Sequence, residues 1–145
     1  MSDELTMVLR VLLAAVLGSI IGFQRDKADK PAGVRTNVLI AVGAALFTGV
    51  SLFGFEEDAA RVAAGIVTGI GFLGAGSIIR RGEGVVEGLT TAATIWAVAG
   101  IGMAAGTGLY LIAAVTTLLI VGVLMIPKSF LETGNDVGKQ QKKEK

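Results

Sequence analysis

Residues Leu89 to Ile126 read LTTAATIWAVAGIGMAAGTGLYLIAAVTTLLIVGVLMI, 38 residues without a charge. One straight helix of that length would run about 57 Å at 1.5 Å per residue, nearly twice the roughly 30 Å hydrocarbon core of a bilayer. The stretch therefore has to turn back on itself, and Gly106-Thr107-Gly108 is where a reversal costs least. That gives two apolar helices, about Leu89–Ala105 and Leu109–Ile126, with Pro127 as the stop. Three further apolar runs precede them, about Leu5–Phe23, Thr36–Phe53 and Val62–Ile79. Runs of about 17–25 apolar residues can cross a membrane. The sequence predicts an all-α, polytopic membrane bundle of five transmembrane helices.

The charges orient the bundle. Arg25, Lys27, Lys30 and Arg35 lie in the first gap, Arg80 and Arg81 in the third, and five Lys in residues 128–145. The second gap holds Arg61 alone among basic residues, beside Glu56, Glu57 and Asp58, and the fourth holds none. Basic residues collect on the cytoplasmic side of membrane helices, which places the N-terminus outside and the C-terminus in the cytoplasm. The first apolar run follows Asp3 and Glu4 and has no small-residue cleavage site, so it reads as a retained helix. Arg10 near its start is expected to snorkel to the interface. Residues 1–127 form the transmembrane domain, and 128–145 a polar, Lys-rich cytoplasmic tail.

Composition agrees. The hydrophobic fraction is 52% and the charged fraction 17%, against about 25% charged in soluble domains, and the mean hydropathy is +0.71. A net charge of +1 offers no field for nucleic acid. The chain lacks Cys and His, which removes disulfides, thiolate chemistry and the commonest general base.

The 21 glycines are concentrated in the apolar runs. Gly18/Gly22, Gly65/Gly69 and Gly102/Gly106 recur at four-residue spacing, the pattern that lets helices approach closely in lipid. Within the third run, Gly69-Ile70-Gly71-Phe72-Leu73-Gly74-Ala75-Gly76 admits two readings: close packing, or a helix broken at mid-membrane whose exposed carbonyls face an ion. The same residues match G-x-G-x-x-G, but the match lies in an apolar span with no strand before it. No acidic residue stands about 20 positions on, so a dinucleotide site is rejected.

Four ordered segments are similar to one family. Lys30-Pro31-Ala32-Gly33-Val34-Arg35-Thr36-Asn37, Arg61-Val62-Ala63-Ala64, Gly69 to Arg80, and Gly88-Leu89-Thr90-Thr91-Ala92-Ala93-Thr94-Ile95-Trp96 resemble the signature segments of the MgtC/SapB membrane proteins. The resemblance covers about Leu9 to Ile126, the membrane domain only, without the soluble C-terminal domain that many members carry. It implies a multi-pass bacterial inner-membrane protein of magnesium homeostasis and adaptation to low magnesium, in a family linked to virulence. It also implies action on other membrane proteins, ATP synthase among them, or alternatively transport of Mg²⁺ or another cation. Two departures stand out: Gln24-Arg25 occupies the usual Glu-Arg position, and Gly65 the place of a usual Gln.

The candidate functional residues are Gln24, Arg25, Arg35, Asn37, Gly69, Gly71, Gly74, Gly76, Arg80, Thr90, Thr91 and Thr94. Arg35 reads as an interfacial anchor or as a partner for a carboxylate or anion, Asp26 being the nearest carboxylate. Thr90, Thr91 and Thr94 cap and brace their helix, or line a polar path with Ser77 and Thr68. Trp96 reads as packing. Mg²⁺ takes oxygen ligands, usually one or two carboxylates, and no Asp or Glu lies within an apolar run. Asp26, Glu83 and Glu87 are the weak metal candidates, and no cofactor is expected beyond Mg²⁺ as transported or sensed ion. Five short helices with Gly-rich faces point to a homo-oligomer in the bilayer and to no enzyme.

Overall fold

The computed structural model describes residues 3–54, 58–81 and 85–127. Five helices follow one another: α1 Asp3–Lys27, α2 Val34–Gly54, α3 Ala59–Gly76, α4 Leu89–Thr107 and α5 Tyr110–Leu124. The first four are long and apolar enough to cross a membrane, and α5 is a shorter apolar helix. The reversal falls where the sequence places it, at Gly108, whose φ of 90° suits only glycine well. Glu56, Glu57, Glu83 and residues 128–145 lie outside the described residues.

The third gap is more than a loop. Ile79–Arg81 (β1) and Val85–Glu87 (β2) pair antiparallel, Ile79 opposite Glu87. Gly88 then enters α4 with a φ of 91°, and a Cβ there would strike Ser77 O. No threonine caps α4, contrary to the expected cap.

The core lies between α1, α2 and α4 and is built from small residues. Ala14, Ala41, Ala45, Val98 and Ala105 have no exposed surface. Glycines set the spacing: a Cβ on Gly18 would lie 2.7 Å from Asn37 O, on Gly22 2.8 Å from Val34 N, and on Gly106 2.6 Å from Ala45 O. Gly102 abuts Ala44, at 2.9 Å. Four of the six predicted packing glycines therefore sit at helix crossings, where nothing larger fits.

Gly65 and Gly69 do not. Nothing stands within 4 Å of a Cβ on either, nor on Gly71 or Gly76. The packing expected of them is absent within the chain because their face of α3 opens to an apolar groove against α2. The glycine-rich run is not broken either: α3 is continuous through Gly76, its hydrogen bonds closing with Ser77 N to Gly74 O at 3.0 Å. Gly74 alone in α3 is buried, against Ala92 of α4.

Arg10 donates from Nη1 to Gly106 O at 2.9 Å and from Nε to the Tyr110 hydroxyl at 3.3 Å. It neutralises the negative end of α4. Trp96 is 56% exposed and faces away from the core.

Candidate functional site

Where α1 ends, α2 and α4 begin and α5 ends, a buried polar cluster forms. α1 runs on to Lys27, so Gln24, Arg25 and Asp26 occupy its last turn. The chain then reverses through a short connection in which Asp29 (φ 53°) and Ala32 (φ 59°) are left-handed. For alanine that conformation costs roughly 1–2 kcal/mol, so other bonds have to hold it.

Three side chains do. Arg25 donates to Pro31 O from Nε at 3.2 Å and from Nη2 at 3.1 Å. Asp26 Oδ2 accepts Val34 N at 3.0 Å, capping α2 from outside the helix. Asn37 Nδ2 reaches back to Ala32 O and, at 3.0 Å, to Gly33 O. A Cβ on Gly33 would displace the Asp26 carboxylate from this position.

Arg25 ties this clasp to α4: its Nη2 donates to Thr91 Oγ1 at 2.6 Å. Arg25 is 4% exposed, Asn37 not at all, and Thr91 and Thr94 are buried with them. Asn37 Oδ1 and Gln24 Oε1 are buried without a hydrogen-bond partner, while Gln24 Nε2 donates to Leu124 O at 3.3 Å, joining α1 to α5. Arg25 donates to no carboxylate among the described residues, and Arg61–Asp58 is an exposed ion pair elsewhere. The guanidinium is compensated by the Pro31 carbonyl, the Thr91 hydroxyl and the negative end of α1. Such a centre binds and orients backbone and repels a bare divalent cation.

The structure thus brings Gln24, Arg25, Asn37 and Thr91 together and leaves the other candidates apart. Arg35 is exposed on the first turn of α2, and Asp26, expected as its partner, is committed to the α2 cap. Arg80 is exposed on β1. Thr94 donates to Thr90 O at 2.7 Å, Ser77 to Gly74 O and Thr68 to Ala64 O, so these hydroxyls are satisfied within their own segments and form no shared polar path. No group of three or more Asp, Glu, His or Cys gathers among the described residues. Sequence reading missed Ala32, whose φ has no signature, and Asp26 as a cap. The spacing from Asp26 to Val34 could have suggested it only with the loop in hand.

Against this geometry, the family model "MgtC family" matches residues 11–133. The chain belongs to the MgtC family. "Putative magnesium transporter YhiD" of Escherichia coli is 45% identical over 128 residues, covering 80% of this chain and 59% of that protein. "Protein MgtC" of Salmonella typhimurium is 47% identical over 113 residues, covering 78% and 48%. An uncharacterized Haemophilus influenzae protein is 44% identical over 128 residues, covering 81% and 54%. The chain spans about half to three-fifths of the length of these MgtC-family relatives. No solved structure matches. Family and apolar helices together make this a membrane protein.

Proposed function

We propose that this MgtC-family chain is a non-enzymatic bacterial inner-membrane protein of magnesium homeostasis that acts through contacts with other membrane proteins. The observation that carries this reading is the charge of the buried cluster. Its centre is the Arg25 guanidinium, and the nearest carboxylate, Asp26, is spent on the cap of α2. Oxygen-rich, carboxylate-bearing sites hold Mg²⁺, whereas a buried cation opposes it. The continuous α3 and the groove beside it, lined by apolar side chains, also favour a protein without an ion path. We place the Arg25 end in the cytoplasm, since Arg25, Lys27, Lys30, Arg35, Arg80 and Arg81 all lie there.

The name of the Escherichia coli relative, a putative magnesium transporter, favours a second reading, magnesium transport. Proteoliposomes holding the purified chain and an Mg²⁺ indicator dye separate the two. The expected result is no Mg²⁺ entry above empty liposomes. Entry that Arg25→Gln abolishes overturns the regulatory reading.

A further inference from the structure

The groove between α2 and α3 has a volume of about 570 Å³ and an apolar lining that includes Leu39, Gly43, Phe47, Gly65, Gly69 and Leu73. Gly43, Gly65 and Gly69 have nothing within 4 Å of a Cβ, so the trough owes its depth to the missing side chains. Leu39, Phe47 and Leu73 are 71%, 61% and 56% exposed and flank it. The side chains that line the trough are all apolar, so it suits hydrocarbon better than water.

One end of the trough is cationic. Arg35 stands one turn before Leu39 on the same face of α2, and helical side chains lean toward the N-terminus, which here is away from the apolar trough. Arg80 is exposed on β1, just past the end of α3 that carries Leu73. Among the described residues neither Arg35 nor Arg80 has a side-chain hydrogen bond or ion pair. An apolar channel with two guanidinium groups toward one end, neither of them paired among the described residues, has the layout of an acyl chain joined to a phosphate.

We propose that the α2–α3 groove is a site for an anionic phospholipid of the bilayer, one acyl chain lying over Gly43, Gly65 and Gly69 and the phosphodiester held by Arg35 with Arg80. The site gives α3, which buries only Gly74 within the chain, a lipid as its packing partner.

The test uses the full chain in nanodiscs of equal dioleoylphosphatidylglycerol and dioleoylphosphatidylethanolamine, extracted in mild detergent and weighed by native mass spectrometry. The wild type is expected to retain the glycerol lipid at least about fivefold over the ethanolamine lipid, the attraction of about one basic residue at a membrane surface. Arg35→Gln should remove that preference while keeping bound lipid. Gly69→Leu, whose Cβ meets no neighbour and whose side chain reaches into the trough, should lose both lipids while circular dichroism stays helical. If Gly69→Leu loses helicity, Gly43→Leu takes its place in the comparison. Equal retention of the two lipids by the wild type, or unchanged retention in the groove-filling variant, overturns the proposal. So does a lipid-free dimer that Gly69→Leu dissociates, which would make a second copy the occupant.

Discussion

Thr91→Val takes one oxygen from the buried cluster and leaves the side-chain shape almost unchanged. In the wild type that hydroxyl accepts Arg25 Nη2 at 2.6 Å, and Thr91 is 5% exposed. A hydrogen bond to a charged group contributes about 1.5–3 kcal/mol. The methyl that replaces the hydroxyl returns about 0.8 kcal/mol through apolar burial. The net loss is therefore about 1–2 kcal/mol, equivalent to a fall in Tm of about 4–8 °C for a chain of this size. The assay is thermal unfolding of the purified protein in detergent, followed by circular dichroism. Thr91→Ser keeps the acceptor and should stay within about 2 °C of the wild type. Thr90→Val, on the exposed neighbour, should not move the midpoint. A Thr91→Val melt that overlays the wild type refutes the claim that this bond holds Arg25, and a Thr91→Ser fall as large as that of Thr91→Val refutes the hydroxyl as its cause.

The same melts check three more expectations. Gly22→Ala places a Cβ 2.8 Å from Val34 N and should cost about 1–3 kcal/mol, whereas Gly65→Ala, with open space around it, should leave stability unchanged or raise it by up to about 1 kcal/mol. Arg10→Met removes the donor on Gly106 O and should cost about 1–2 kcal/mol, a loss read as earlier unfolding. Gly88→Ala forces alanine to a φ of 91° against Ser77 O and should cost about 1–3 kcal/mol, while Gly76→Ala, tested beside it, should be silent.

The helices were legible because lipid demands long apolar runs and the gaps concentrate charge. The turn at Gly108 followed from length alone, since 38 uncharged residues cannot cross once. Four-residue glycine spacing located real crossings at Gly18, Gly22, Gly102 and Gly106, yet the same spacing at Gly65 and Gly69 marks an open groove. Spacing says which face is small, not what lies opposite it. The hairpin had a signal that went unused: Gly82-Glu83-Gly84 between two short runs holding Ile and Val. The segment from Lys30 to Asn37 and the threonines of α4 were singled out separately. Their union through Arg25 spans 66 positions, and nothing local in a sequence records a contact at that distance. Trp96 went wrong for a related reason. Depth along a helix could be counted, but the direction each side chain faces depends on neighbours brought in from elsewhere in the chain.

The two buried-end arginines of α1 have a mechanical consequence. Arg10 grips Gly106 and Arg25 grips Thr91, so equal lengths of two antiparallel helices, fifteen residues each, are bolted at both extremities. A slip of one residue, about 1.5 Å, would unseat both bolts at once, and a rotation of α1 about its axis would swing both arginines off their acceptors. α1 and α4 therefore behave as a single strut with its register locked. α3, outside that strut and packed against α4 with Gly74 at the close approach, is a helix that can tilt without breaking either bolt.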